Sequence, residues 1–278
     1  MMDLINLSII VTRVFQSAIN YLKTLSTHLL LSTVLWLCVG NLHAATHWES
    51  LSPGLEYTVL TPDLSRPYAK LHAFEIDLKY YQFELKFAKD QQQQSTMVKD
   101  LAIANQAIIA TNGGFFNQKW QPLGLRINKK AIYNFFKPIS WWGIFYIQDH
   151  QPYIIPPHTF YNKLIVESDF AIQAGPPLLI AGTSPPLTGK LAERTAVCIT
   201  ADKKVILMAT ENLPLTTNQL ATILSRSQVN NGLNCQDALN LDGGHSTQLY
   251  ANIGNLRLSI ANLSPITDAI IVVPRTDS

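Results

Sequence analysis

One short pattern occurs twice in this chain and constrains its fold more than any other feature. An apolar, strand-like run ends on an Asx residue followed by two adjacent glycines, first as AIIATNGGFFN (Asn112, Gly113, Gly114) and again as DALNLDGGHST (Asp242, Gly243, Gly244). Each copy follows a stretch with helical spacing. Adjacent glycines straight after a buried strand serve a backbone that turns sharply or passes very close to another group. An Asn or Asp placed before them projects its side chain from the strand end, and successive free N–H groups in such a turn form a concave anion site. The plain alternative is two tight hairpin turns, because Asx-Gly is a common hairpin signal. Two copies, flanked by Asn117 in one case and by Ser246 and Thr247 in the other, favour a site.

The remaining pattern is mostly strand. Residues 72–87 alternate in places, with Phe74, Ile76 and Leu78 against Glu75, Asp77 and Lys79, and read as one or two half-buried strands. A short buried strand at 107–111 leads into the first glycine pair. Residues 123–155 read as successive hairpins with turns at 128–130 and at Asp149 and His150, and 196–200 pairs with 205–209 around Asp202. Further strands are expected at 237–241 and 247–251. Two stretches have helical spacing. The first lies near 95–105 with Ser95 or Thr96 as its cap, and the second runs over 217–228, where Thr216 and Gln219 fit a capping box and Leu220, Ile223 and Leu224 line one face. From His47 onward no Gly/Ser linker, charge block or Pro-rich hinge interrupts the chain, and QQQQ at 91–94 reads as a solvated loop. The fold expected is α+β, one domain over 46–278 built mostly of antiparallel sheet with two principal helices.

Composition narrows the partners. Of the 278 residues 47% are hydrophobic, and 21 Lys and Arg against 19 Asp and Glu leave a formal charge of only +2. With no basic stripe interleaved with aromatics, nucleic acid is not an expected partner. The 7 His are scattered and the 3 Cys form no CxxC, so no structural zinc site is written here, although distant loops remain free to assemble a metal site. No cofactor is expected. Residues 1–45 differ from the rest: the run HLLLSTVLWLCV at 28–39 follows Arg13 and Lys23 and precedes Ala44 and Ala45. That is the pattern of a signal peptide or membrane-targeting segment, with loss of about the first 44 residues on export to the periplasm or medium. The run is shorter than the roughly 20 residues of a spanning helix, so membrane contact is expected only through this segment. Its removal leaves Cys198 and Cys235, which an oxidising compartment permits to pair and which otherwise are buried thiols.

Four motifs in order, NGGFFN at 112–117, QAGPPLL at 173–179, ERTAV at 193–197 and NLDGGHST at 240–247, resemble those of the phosphodiester glycosidase family. The resemblance runs from about residue 70 to 274. It implies hydrolysis of the bond between a sugar's anomeric carbon and a phosphodiester oxygen, the sugar phosphodiester or glycan being the substrate. The family includes an enzyme that removes N-acetylglucosamine from phosphodiesters on lysosomal enzyme glycans and many exported bacterial relatives. Two positions depart from the pattern, where His245 and Cys198 stand in place of usual glycines.

The residues fit such chemistry. Glycosyl transfer to water needs a carboxylate as nucleophile or base, and a phosphate leaving group, already a stable anion, needs charge stabilisation more than a proton. Asp242 is the first candidate for that carboxylate, capping of an Asx-turn being its structural alternative. Glu193 and Glu211 are candidates for a second, and His245 adds a titratable group beside the turn. Arg194, whose planar fork suits two phosphate oxygens, is the candidate phosphate ligand, against a surface salt bridge with Glu193. Asn112, Thr195, Ser246 and Thr247 would hydrogen-bond sugar hydroxyls or phosphate, with the backbone of Gly113, Gly114, Gly243 and Gly244. Phe115 and Phe116 would form an apolar sugar platform, or else belong to the core with Trp141 and Trp142. The competing reading is a non-catalytic module that binds a sugar phosphate or envelope glycan, which His245 in place of glycine favours.

Overall fold

The computed structural model describes residues 45–160 and 167–276; the expected targeting segment at 1–45 lies, but for its last residue, outside them. The first part of the chain runs β1 (Glu49–Ser52), β2 (Leu55–Leu60), β3 (Lys70–Ile76), β4 (Tyr81–Phe87), α1 (Val98–Ala104) and β5 (Ile109–Asn112). A middle series follows: β6 (Arg126–Asn128), β7 (Ala131–Asn134), β8 (Gly143–Gln148), β9 (Gln151–Ile155), β10 (Phe170–Ala174) and β11 (Pro177–Leu179). The last part comprises β12 (Thr195–Thr200), β13 (Val205–Glu211), α2 (Thr217–Ser225), β14 (Cys235–Asn240), β15 (Leu249–Ile253), β16 (Leu256–Ile260) and β17 (Asp268–Pro274).

The strands form three sheets, in the orders β1-β2-β3-β13-β12-β14-β11, β7-β6-β10-β8-β9 and β16-β15-β5-β17-β4, and every pairing between named strands is antiparallel. The α+β, mostly antiparallel expectation with two principal helices therefore holds among the described residues, with the strands divided over three sheets. Strand alternation explains the layers. Along β12, Val197 and Ile199 face a core shared by all three sheets, while Ala196 and Cys198 face a second cluster with Leu220 and Leu224 of α2. On β5, Ile109 joins the shared core and Ala110 packs with Leu101 and Ala102 of α1. Each helix thus covers the outer face of the sheet that holds its own following strand.

Local chemistry sets the turns. The β6–β7 and β8–β9 hairpins close on two-residue loops with both residues at positive φ, Lys129 (50°) and Lys130 (63°) in one and Asp149 (49°) and His150 (61°) in the other. This is the loop geometry that matches strand twist. Helix α2 begins with the expected capping box, Gln219 N–H donating to Thr216 Oγ1 at 3.2 Å and Thr216 N–H to Gln219 Oε1 at 2.9 Å. Helix α1 does not use Ser95 or Thr96. Its N-cap is Met97, and the Val98 N–H is accepted by Gln248 Oε1, 2.9 Å away and 150 residues on. Cys198 and Cys235 are joined in a disulfide that ties β12 to β14 beneath α2. Among the described residues no helix is long and apolar enough to cross a membrane.

Candidate active site at the paired glycine turns

Both Asx-Gly-Gly turns stand at the ends of inner strands, β5 in the third sheet and β14 in the first, and they clasp each other directly. Asp242 N–H donates to Gly113 O at 3.2 Å, and Asn112 Nδ2 donates to Asp242 O at 2.8 Å. Asn112 Oδ1 accepts from Thr195 Oγ1 at 2.7 Å and from Gln248 N–H at 3.0 Å. Asn112 is fully buried, and so is Thr195. Their expected role on substrate is corrected accordingly: both side chains are occupied in joining the two sheets, where a short amide with donor and acceptor ends can satisfy both partners.

The glycines of the first turn answer to a buried ion pair. Arg126 Nε lies 3.2 Å from Asp268 Oδ1, with both side chains wholly buried. Arg126 also donates to the carbonyls of Leu123 (3.1 Å), Leu125 (3.1 Å), Gln173 (3.2 Å) and Phe115 (3.3 Å). A Cβ on Gly113 would lie 1.9 Å from Asp268 Oδ1, and one on Gly114 would lie 2.5 Å from Arg126 Nη2. The N–H groups of this turn are not free for an anion, since Gly113 N–H donates to Asp268 O (2.9 Å) and Gly114 N–H to Asp268 Oδ1 (3.3 Å). In the second turn Gly243 N–H donates to Asp242 Oδ1 (2.9 Å) and Gly244 N–H to Glu193 O (2.7 Å). The expected backbone anion nest is therefore corrected in both turns; Gly244, at φ +60°, still supplies the left-handed corner.

Asp242 is a mostly buried residue at the head of the second turn. Burial pushes its pKa up from 3.8 to about 6, against the opposing hydrogen bonds from the Ser246 hydroxyl and the Gly243 N–H; Asp268 adds to the rise and Arg126 counters it. The Asx-turn is realised by the Asp242 Oδ1 that accepts the Gly243 N–H. The neighbouring Thr247 is buried, and its Oγ1 has no hydrogen-bond partner among the described residues.

Beside the second turn opens a cleft of about 690 Å³ whose walls include Glu193, Glu211, Asn212, Gly244, His245 and Asn262. Asn262 Nδ2 donates to Gly244 O at 2.9 Å and holds that wall. Asp242 itself does not line the cleft; the two residues that follow Gly243 do. Glu193 Oε2 accepts the Thr210 hydroxyl, while Glu211 Oε2 lies 3.2 Å from His72 Nε2, whose Nδ1 is 2.8 Å from Tyr57 Oη. Burial holds the His72 pKa low despite Glu211, and burial with the Glu211 charge raises Tyr57 to about 12, so this wall presents a carboxylate backed by a neutral imidazole and phenol.

Arg194 departs from its expected role. Its Nε donates to Leu215 O at 2.8 Å and its Nη2 to Lys190 O, which pins the loop before β12 to the loop before α2. It makes no ion pair with Glu193 among the described residues. Phe115 is partly buried, packed against the shared core and on Trp142 at 5.2 Å. Phe116 stacks on Trp120.

Arg126, Asp268 and Gln248 hold the site together and were not singled out by motif. The signal available was a charged residue within the apolar run GLRI and another directly before AIIVV, where an unpaired charge would be costly and a mutual partner is the economical solution. Among the described residues no group of three or more His, Cys, Asp or Glu is arranged to hold a metal ion.

Comparison with known proteins follows the same segments. The family model for phosphodiester glycosidase matches residues 105–273, more than half of the chain and both glycine turns. The fold is similar to the catalytic domain of zebrafish N-acetylglucosamine-1-phosphodiester alpha-N-acetylglucosaminidase, auto-inhibited by its pro-peptide, with TM-score 0.62, 18% identity, and coverage of 83% of this chain and 87% of that one. It is similar also to a hypothetical protein from Synechocystis, with TM-score 0.58, 15% identity, and 83% of this chain covering 64% of the other. A Burkholderia pseudomallei protein thought to be exported aligns with TM-score 0.54 and 10% identity over 74% of each chain. No curated protein matches by sequence. By the extent of the family match, which takes in the clasped turns, their buried ion pair and the Glu193 wall, this chain belongs to the phosphodiester glycosidase family.

Proposed function

We propose that this protein hydrolyses the bond between a sugar's anomeric carbon and a phosphodiester oxygen, in an exported setting. The observation that carries the reading is Asp242. It is a carboxylate with a pKa raised to about 6, fixed between Gly243 and Ser246 on a turn that the buried Arg126–Asp268 pair and Asn112 hold rigid. A base of that pKa is ionised at neutral pH yet basic enough to activate water, or to attack the anomeric carbon itself. The leaving phosphate monoester is a stable anion, so a strong general acid opposite Asp242 is not required.

In this reading the anomeric carbon lies at the Asp242 carboxylate, outside the lining of the cleft beside Gly244, with Ser246 orienting Asp242, and the rest of the substrate extends into that cleft, where Glu193, Glu211 and His245 are its polar contacts. Residues 46–278 form the catalytic domain, and residues 1–45 direct export. The Cys198–Cys235 bridge supports that route, because disulfides persist in oxidising compartments.

The test is a product assay by mass spectrometry on a panel of sugar phosphodiesters, together with amino-terminal sequencing of exported material. Release of free sugar and phosphate monoester, and a mature chain beginning near Ala45, are the expected results. Binding of the same compounds without turnover would replace the enzyme with a sugar-phosphate binding module, and an intact Met1 on soluble cytoplasmic protein would remove the export claim.

A further inference from the structure

The loop that leaves the first glycine turn builds a second cleft, of about 530 Å³, none of whose lining residues is shared with the cleft beside Gly244. Its volume lies within the range usual for small-molecule sites. Its walls include Trp120, Gln121, Tyr133, Phe135, Lys89 and Lys137, and no carboxylate lines it.

Several observations point to one ligand chemistry. Trp120 sits at φ +57°, in a region that bulky residues seldom occupy. It is held there by its N–H to Asn117 O (3.0 Å) and by an Asn117 Oδ1 that accepts from Lys119 and Gln121 N–H (2.9 and 3.0 Å). One face of its indole is stacked on Phe116 at 5.3 Å, and the half-buried side chain lines the cleft. Phe135 is 78% exposed and Tyr133 41%, and large aromatics left open beside a cleft mark a contact surface. The apolar C–H faces of a pyranose pack on such rings, whereas its hydroxyls need amides. Gln121 Oε1 is held by Asn117 Nδ2 at 2.9 Å, and its own amino group has no protein acceptor among the described residues. Two cations complete the wall without acidic partners: Lys89 Nζ lies over the rings of Phe87 (4.9 Å) and Tyr133 (5.5 Å), and Lys137 forms no ion pair among the described residues. An ammonium acts on phosphate as a point charge and does not need bidentate geometry.

We infer that the cleft walled by Trp120, Tyr133, Phe135, Lys89 and Lys137 binds the saccharide chain of a phosphate-bearing glycan, as a subsite apart from the glycine turns. The choice of ligand rests on the proposed sugar-phosphodiester reading; the aromatic and cationic walls do not.

The experiment is calorimetric titration of the full chain with a phosphomannan oligosaccharide and with the same oligosaccharide after its phosphates are removed. The wild type is expected to bind the phosphorylated form about tenfold more tightly. Trp120→Ala should weaken both by about tenfold or more, and Trp120→Phe should retain most of the affinity. The pair Lys89→Gln with Lys137→Gln should abolish the preference for phosphate and leave the dephosphorylated form unaffected. Turnover of a monosaccharide phosphodiester should be the same in all of them. Equal affinity in the wild type and every variant, or no binding by the wild type, overturns the subsite. If the wild type cleaves phosphodiesters and the variants bind unchanged, only the subsite falls. If the binding pattern holds and nothing is cleaved, the subsite stands and the hydrolase reading falls.

Discussion

At the scale of single residues, the glycine pairs do allow a close backbone approach, but the groups that approach differ from those a ligand site would bring. The NGG and DGG turns do meet in the fold, but the first pair is glycine because Asp268 and Arg126 occupy the space a Cβ would need, and its N–H groups are committed to Asp268. Gly114→Ala should therefore cost at least about 3 kcal/mol, since it disturbs a buried ion pair that cannot relax into water, and Gly113→Ala should cost more. Denaturant unfolding of the two variants measures this. Asp242 carries the opposite sign. Its folded pKa of about 6 lies above the unfolded 3.8, so the folded chain binds the proton more tightly in that window, and above it the buried charge opposes folding. Asp242→Asn should thus raise stability at pH 7.5 by up to about 3 kcal/mol, a gain that shrinks through pH 6 to 4 and vanishes below. Thermal melts of both proteins at pH 7.5 and pH 4 check the sign. The sequence made Asp242 conspicuous because nothing apolar around it called for a charge. It could not reveal that Asn112 and Thr195 turn inward, because a buried amide and a substrate-facing amide have the same residue type and differ only in what the other sheet brings to them.

At the scale of elements, the repeated helix–strand–turn unit is the part of the fold most legible beforehand. The second helix, its capping box and the hairpin loops at Lys129–Lys130 and Asp149–His150 follow from local chemistry alone. Helix α1 was legible in place but not in its cap, because Gln248 reaches it from the segment after the second turn. Long-range partners of that kind leave no mark in the nearby sequence. The same holds for the disulfide: Cys198 fitted a buried strand equally well as a thiol, and only the adjacency of β12 and β14 decides the pairing. Its two ends are 37 residues apart, a loop whose closure is worth about 3–4 kcal/mol in the chain-entropy treatment. Replacing both cysteines by serine should lower stability by about that amount, with β12 and β14 still paired through their backbone. Loss in a reducing buffer equal to the loss in the double variant, measured by urea unfolding, is the expected outcome.

At the scale of the whole molecule, the class of fold was readable from alternating short strands, whereas the division into three sheets was not. Residues 72–87 alternate in places and read as one or two half-buried strands, yet β3 joins the first sheet and β4 the third, and only the partners of each strand separate them. That division makes the candidate site: one sheet supplies Asn112, the strand before Asp242 belongs to another, and the two turns clasp where these sheets meet, with Gly244 N–H donating to Glu193 O. The most direct test of the Asp242 assignment is the pH profile of kcat/KM on a sugar phosphodiester for the wild type and Asp242→Asn. The wild type should lose activity on the acid side with a midpoint near 6, and the variant should be slower by about 10³-fold or more while remaining folded. Activity in Asp242→Asn within a few-fold of wild type, or a wild-type profile flat across pH 5–7, would contradict it.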